Sequence, residues 1–199
     1  HLGVRRQRQM CIRDRQRLAQ IETENEVVFE WCPFSVRSRM IEMENVPFMA
    51  EKKRDKIDYM WRDVQRRANF YGFDAKVPAP YPLKEFDLAN KVAILGKDQG
   101  WIKEYTILTY KKWFLEHLEP GSEPNLSSTL KEIGLDSDNL IKQAQTDEIE
   151  QKYLKNTEMA KNKGIFGSPT FIVENEVFWG DDRCEAVSYT HLRAHETYP

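Results

Sequence analysis

The sequence predicts an α/β domain in which a sheet is interrupted by an all-helical block. Three observations carry this. Short β-rich runs stand at either side of the chain's middle, EVVFEW at Glu26–Trp31 and, after a long helical stretch, TFIV at Thr170–Val173 with VFW at Val177–Trp179. Between them apolar residues recur at steps of three and four through several segments, the period of amphipathic helices. No repeat or low-complexity tract points instead to a solenoid or a disordered linker. With 199 residues, 40% of them hydrophobic, the chain has material for one ordinary core. A sheet split by helices then reads as one domain carrying an insertion.

The elements follow in order. RLAQIETEN, at Arg17–Asn25, is the tail of a helix, and Glu26–Trp31 is a strand that Pro33 stops. From Lys52 to Tyr71, Ile57, Met60, Trp61, Val64, Ala68 and Tyr71 share one helical face, and Gly72 supplies a C-terminal cap. Val77–Leu83 holds three prolines and must be an extended loop. Helices are expected at Asp87–Lys97 and Trp101–His117. A loop at Glu119–Asn125 comes next, then short helices capped by Ser127 and Asp136. A longer helix spans Asp147–Asn162 and ends at Gly164. Glu174–Asn175–Glu176 then turns a hairpin whose strands share a sheet with Glu26–Trp31.

The ends stand apart. Arg6–Arg15, RQRQMCIRDR, and Val187–Thr197, VSYTHLRAHET, lack clean periodicity and read as translated sequencing-library adapter. Residues 1–16 and 186–199 are therefore expected to be artefactual tails, of which 1 to about 15 and about 188 to 199 should make few apolar contacts, real basic tails being the alternative. Residues 17–185 would be the domain, with its helical insertion at about 45–145. On this reading the first strand and the start of the first helix are missing.

A formal charge of −2 gives no global field for phosphate backbones, so no nucleic-acid partner is expected. No run approaches the roughly 20 apolar residues of a membrane span, and no secretory leader is recognisable. A cytoplasmic protein with no membrane partner is the expectation. Cys11, Cys32 and Cys184 form neither a C-x-x-C pair nor a zinc-ligand spacing, so no metal is expected. His117, the one histidine outside the doubtful ends, is expected at the surface.

Two motifs carry chemistry. Gly164–Phe171 reads GIFGSPTF between a helix and a strand, which places Ser168–Pro169–Thr170 at the entrance of a hairpin. Phe178–Arg183, FWGDDR, begins a final helix whose free N–H groups its carboxylates can cap. G-x-F-G-x-P-T-F followed by F-W-G-x-D-R resembles the C-terminal pattern of the 2-hydroxychromene-2-carboxylate isomerase family and is similar to the kappa-class glutathione transferases. Upstream, Trp31-x-Pro33-Phe34, Asn45-Val46-Pro47 and Lys56 to Asp63 resemble that family's W-x-P-F, N-x-P and K-x-x-Y-M-x-x-D. The likeness runs through nearly all of Leu18–Glu185.

The resemblance implies a thioredoxin-like fold, DsbA-like in its helical insertion, with a cis bond at Pro169. It implies glutathione as cofactor, held by Asn45, Lys56, Ser168, Pro169, Asp181 and Asp182. Ser168 would pair through its backbone with the cysteine of glutathione, in the manner of a strand edge. Asp182 would take the glutamyl ammonium, with Asp181 beside it. Each residue also has an ordinary role: Asn45 a turn before Pro47, Lys56 a solvated helix face, Asp181 and Asp182 a helix cap. Asp63 and Arg67, four apart on the same helix, suit an internal ion pair.

The implied activity is a glutathione-dependent cis-trans isomerisation in aromatic, naphthalene-type degradation. Its partners are a small aromatic compound and glutathione, and a homodimer is admitted. The family's catalytic serine sits at the start of the first helix, and no residue here occupies that position; Ser35 and Ser38 do not. No catalyst is therefore assigned, and the chain as written is expected to be inactive. The alternatives are a DsbA-family thiol-disulfide oxidoreductase, whose C-x-x-C would lie in the missing segment, and a non-catalytic thioredoxin-like binding domain.

Overall fold

A computed structural model describes residues 20–24, 26–44, 54–70, 72–180, 183 and 187. Residues 20–24 are helical (α1). Among the described residues the helices α2 Val36–Glu42, α3 Arg54–Phe70, α4 Phe86–Gln99, α5 Ile102–Glu116, α6 Glu123–Glu132, α7 Ser137–Ala144 and α8 Asp147–Asn162 follow. Strands β1, Thr170–Val173, and β2, Glu176–Trp179, then pair antiparallel, with Thr170 opposite Trp179 and Val173 opposite Glu176.

The helices form where local signals agree. Asp136 caps α7 by accepting from the Asn139 N–H at 3.1 Å. Gly72, with φ 69°, and Gly164, with φ 72°, adopt the left-handed turn that closes a helix and that a Cβ would oppose. The long helix and the hairpin match the residues expected of them, except that Glu176 belongs to β2 and the turn is Glu174–Asn175.

Ser127 does not cap a helix. The helix starts earlier, at Glu123, with Ser122 in the extended capping conformation and Pro124 in its first turn. Proline is tolerated there because the first turn's N–H groups lack intrahelical partners anyway. Ser127 instead lies within α6 and donates to the Glu123 carboxylate at 2.6 Å.

The apolar faces close two main cores. In one, Val92, Tyr105, Leu126, Leu130, Leu140 and Ile149 join helices α4 to α8, with Trp31 and Trp101 packed against them. In the other, Met60, Val64 and Ala68 of α3 meet Ala79 and Leu83 of the proline-rich loop and Trp113 and Phe114 of α5. Trp113 Nε1 donates to the Pro80 carbonyl at 2.9 Å, which fixes that loop to α5. His117 is exposed, as expected, and closes α5 with φ 59°.

Glu26–Trp31 is a correction. The described sheet has two strands, and this segment is not one of them. Its side chains alternate between exposed and half-buried, as a strand's would. The backbone donors explain the difference: the Val27 N–H goes to the Glu22 carbonyl at 3.1 Å and the Phe29 N–H to the Glu22 carboxylate at 2.9 Å. With those donors engaged by the end of α1, no ladder to the hairpin forms among the described residues. Contact is made by side chains instead, Phe29 meeting Phe171 edge-on with ring centroids 5.8 Å apart.

Candidate functional site

The loop from Gly164 to Thr170 joins α8 to the hairpin, and it contains the cis peptide bond Ser168–Pro169. Its backbone is held at every second residue. The Ile165 carbonyl accepts from Arg39 Nε at 3.2 Å. The Gly167 carbonyl accepts from Thr170 Oγ1 at 2.7 Å, and the Pro169 carbonyl from the Gly180 N–H at 3.0 Å, continuing the hairpin ladder by one step. Ile165 is buried and its N–H donates to the Ala160 carbonyl at 2.9 Å. Ser168 lies between these fixed points, half-buried. Among the described residues its own N–H and C=O have no hydrogen-bond partner.

An aromatic wall stands beside the loop. The Trp179 indole lies so close over Gly167 that a Cβ there would sit 2.3 Å from Nε1. Phe166, 41% exposed, meets the same indole edge-on, with centroids 4.6 Å apart.

A second polar group of residues lies where W-x-P-F enters α2. Ser35 is buried; its Oγ accepts from the Ser38 N–H at 3.2 Å and its N–H donates to Thr157 Oγ1 at 3.0 Å. Asn156 donates to the Pro33 carbonyl at 3.0 Å. Tyr153 donates to the Asp87 carboxylate at 2.7 Å and accepts from Asn90 at 3.1 Å. Burial raises the Tyr153 phenol above its ordinary range against the opposing bonds with Ser35 and Asn90, and Asp87 adds to the rise. The hydroxyl is thus a neutral donor. Periodicity places Tyr153 on the apolar face of α8, so this network escaped sequence reasoning. Its one signal was the polar pair Asn156 and Thr157 at three and four positions beyond Tyr153, on the same face.

Of the residues named from sequence, Ser168 and Pro169 stand together in the loop just described. Lys56 is exposed in the first turn of α3. Asn45, Asp181 and Asp182 lie outside the described residues, as do both adapter-like runs apart from Val187, which is 1% exposed. Cys32 is half-buried, and burial pushes its thiol up while Lys97 opposes and Glu30 reinforces the shift. That is the reverse of what a nucleophilic thiolate needs. No group of three or more metal-ligating side chains occurs among the described residues, and none of their helices is long and apolar enough to cross a membrane.

Comparison with known proteins gives one picture. A family model described as the DSBA-like thioredoxin domain matches residues 10–190. The 2-hydroxychromene-2-carboxylate isomerase of Sphingobium xenophagum is 24% identical over 158 residues, 79% of this chain and 80% of that one. The enzyme of the same name from Pseudomonas putida is 21% identical over 168 residues, covering 84% and 81%. A solved structure of 2-hydroxychromene-2-carboxylate isomerase, 20% identical, superposes with a TM-score of 0.72 over 87% of this chain and 84% of that one. The fold is therefore the DSBA-like thioredoxin fold, mostly helical, with a small two-stranded sheet.

Proposed function

The chain belongs to the DSBA-like thioredoxin domain family, and from that premise we propose that it is a glutathione-dependent cis-trans isomerase of the 2-hydroxychromene-2-carboxylate type. The observation that carries the proposal is Ser168. Its neighbours' carbonyls at 165, 167 and 169 are engaged, whereas among the described residues its own N–H and C=O, beside a cis-proline, have no partner. A backbone so presented pairs with an extended peptide as a strand edge does. The cysteinyl residue of glutathione is such a peptide. Asn45 and Lys56 contact the tripeptide, and Asp182, with Asp181 beside it, receives its α-ammonium.

The chemistry is an addition and its reversal. The glutathione thiolate forms a C–S bond at the conjugated double bond of an aromatic-ring catabolite, and the π pair moves to the conjugated carbonyl oxygen as an enolate. The carbon–carbon bond, now single, rotates. Collapse of the enolate restores the double bond and expels the thiolate, so glutathione is regenerated without a redox change. A free thiol near pKa ~8.5 is mostly protonated at neutral pH, so a group must favour the thiolate. In the family a serine at the start of the first helix does so, and residues 17–185 offer none at that position. The raised thiol of Cys32 weighs against a disulfide exchange run by that residue.

The test follows conversion of 2-hydroxychromene-2-carboxylate with glutathione. One sample is the chain as written; the other is the chain extended with a relative's first strand and serine-bearing helix start, at equal folded concentration. Turnover is expected of the extended form alone. Equal turnover by both would refute the place given to the catalyst. No turnover by either, with no glutathione binding, would refute the isomerase.

A further inference from the structure

Arg39 is half-hidden on α2, its side chain only 11% exposed, and it reaches across more than a hundred residues of sequence to the cis-proline loop. Its Nε donates to the Ile165 carbonyl at 3.2 Å. The far end of the guanidinium pairs with Glu42, one turn on in α2, and Glu42 is in turn 3.6 Å from Lys161 at the end of α8. The arginine is thus held at one end by its own helix and at the other by the loop. Ile165 is the first of the three engaged carbonyls, and Ser168 stands three residues beyond it. The two later carbonyls are tied within the loop and the hairpin; Arg39 is the tie to α2.

We propose that Arg39 is a positioning residue for ligand binding at Ser168: by fixing the Ile165 carbonyl against α2, it sets where the Ser168 N–H and C=O meet the cysteinyl backbone of glutathione. The inference rests on the glutathione reading above and adds to it a residue that touches no ligand. A planar guanidinium can serve Ile165 and Glu42 at once, which an ammonium cannot do with the same geometry. Lysine should therefore replace it only in part.

The experiment titrates glutathione into the full chain by calorimetry, and follows the Ser168 amide by heteronuclear NMR, in wild type, Arg39→Lys and Arg39→Met. The expected result is a dissociation constant about tenfold weaker for Arg39→Met, the scale of one charge-assisted hydrogen bond. Arg39→Lys should fall between, and the Ser168 amide should shift in both free proteins while the helical circular dichroism is unchanged. Glutathione affinity and Ser168 shift equal to wild type in either folded variant would overturn the role of Arg39 and leave the glutathione reading standing. If Arg39→Met does not fold, Arg39→Lys decides alone. Absence of any glutathione binding by wild type would overturn both.

Discussion

Replacing Gly167 by alanine tests the geometry of the loop most directly. Gly167 does not adopt a left-handed φ, so alanine is not opposed there by the backbone. Space alone decides. The added Cβ would lie 2.3 Å from Trp179 Nε1, 2.9 Å from Cε2 and 3.2 Å from Cδ1. Favourable heavy-atom contacts lie at about 3.5–4.0 Å, so ring and loop must part by more than ~1 Å. The ring is not free to swing away, because Trp179 pairs with Thr170 in the hairpin and packs edge-on against Phe166. Overpacking of this kind costs about 1–3 kcal/mol. In a chain of this size that lowers Tm by about 2–4 °C for each kcal/mol. The assay is urea denaturation of wild type, Gly167→Ala, Trp179→Leu and the double variant, with near-ultraviolet circular dichroism reporting the indole. A double-mutant cycle should return a coupling of about 1–2 kcal/mol, since the smaller leucine relieves the clash. A Gly167→Ala variant within ~0.5 kcal/mol of wild type, or additive effects in the cycle, would refute the close packing of indole on loop.

Tyr153→Phe removes the hydroxyl that joins Asp87 and Asn90. It leaves Asn90 short of an acceptor, so a loss of about 1–3 kcal/mol is expected in denaturant unfolding, with helix content unchanged. Burial pushes the Glu22 carboxyl up, but the hydrogen bonds from Lys103 and the Phe29 N–H outweigh it and hold its pKa below the ordinary 4.5. A carboxyl depressed in the folded state contributes stability that is present above its unfolded pKa and fades as pH falls through the folded one. Glu22→Gln should therefore lower stability at pH 7 and flatten its decline below about pH 4.5, as read from Tm across a pH series. A parallel offset between the two curves at all pH values would refute the assignment.

What was legible in the sequence was what neighbours in the chain determine. The span of α8, Asp147–Asn162, was readable because its apolar period and its closing Gly164 lie within a few turns of one another. The hairpin and the cis bond at Pro169 were equally local, the latter marked by a family motif rather than by proline itself. The start of α6 was misplaced for a local reason too, since a proline read as a loop signal sat at a helix's first turn. Arg39 gave no signal at all. Its partner at Ile165 is 126 residues away, and a lone arginine between Ser38 and Met40 looks like any solvated helix residue. The Tyr153 network was hidden by the side chain's double nature, for an aromatic ring satisfies the apolar period whether or not its hydroxyl is bonded.

Glu26–Trp31 shows where sequence patterning ends and tertiary structure begins. β-branched and aromatic residues report a segment that suits a half-buried extended surface, and this one has such a surface on alternate side chains. Propensity says nothing about where the backbone donors go, and each N–H must be accounted for separately. Here Glu22 takes two of them, one by its carbonyl and one by its carboxylate. The expected pairing of this segment with the hairpin fails. The fold itself does not depend on it, because likeness at a TM-score of 0.72 is set by the chain path over 87% of the residues. Phe29 and Trp31 still pack with Ile21 and Phe171, so the segment lies beside the hairpin without sharing its ladder. Side-chain burial thus fixes the position of this segment, and the carboxylate of Glu22, held low by Lys103, fixes the direction in which its backbone is bonded.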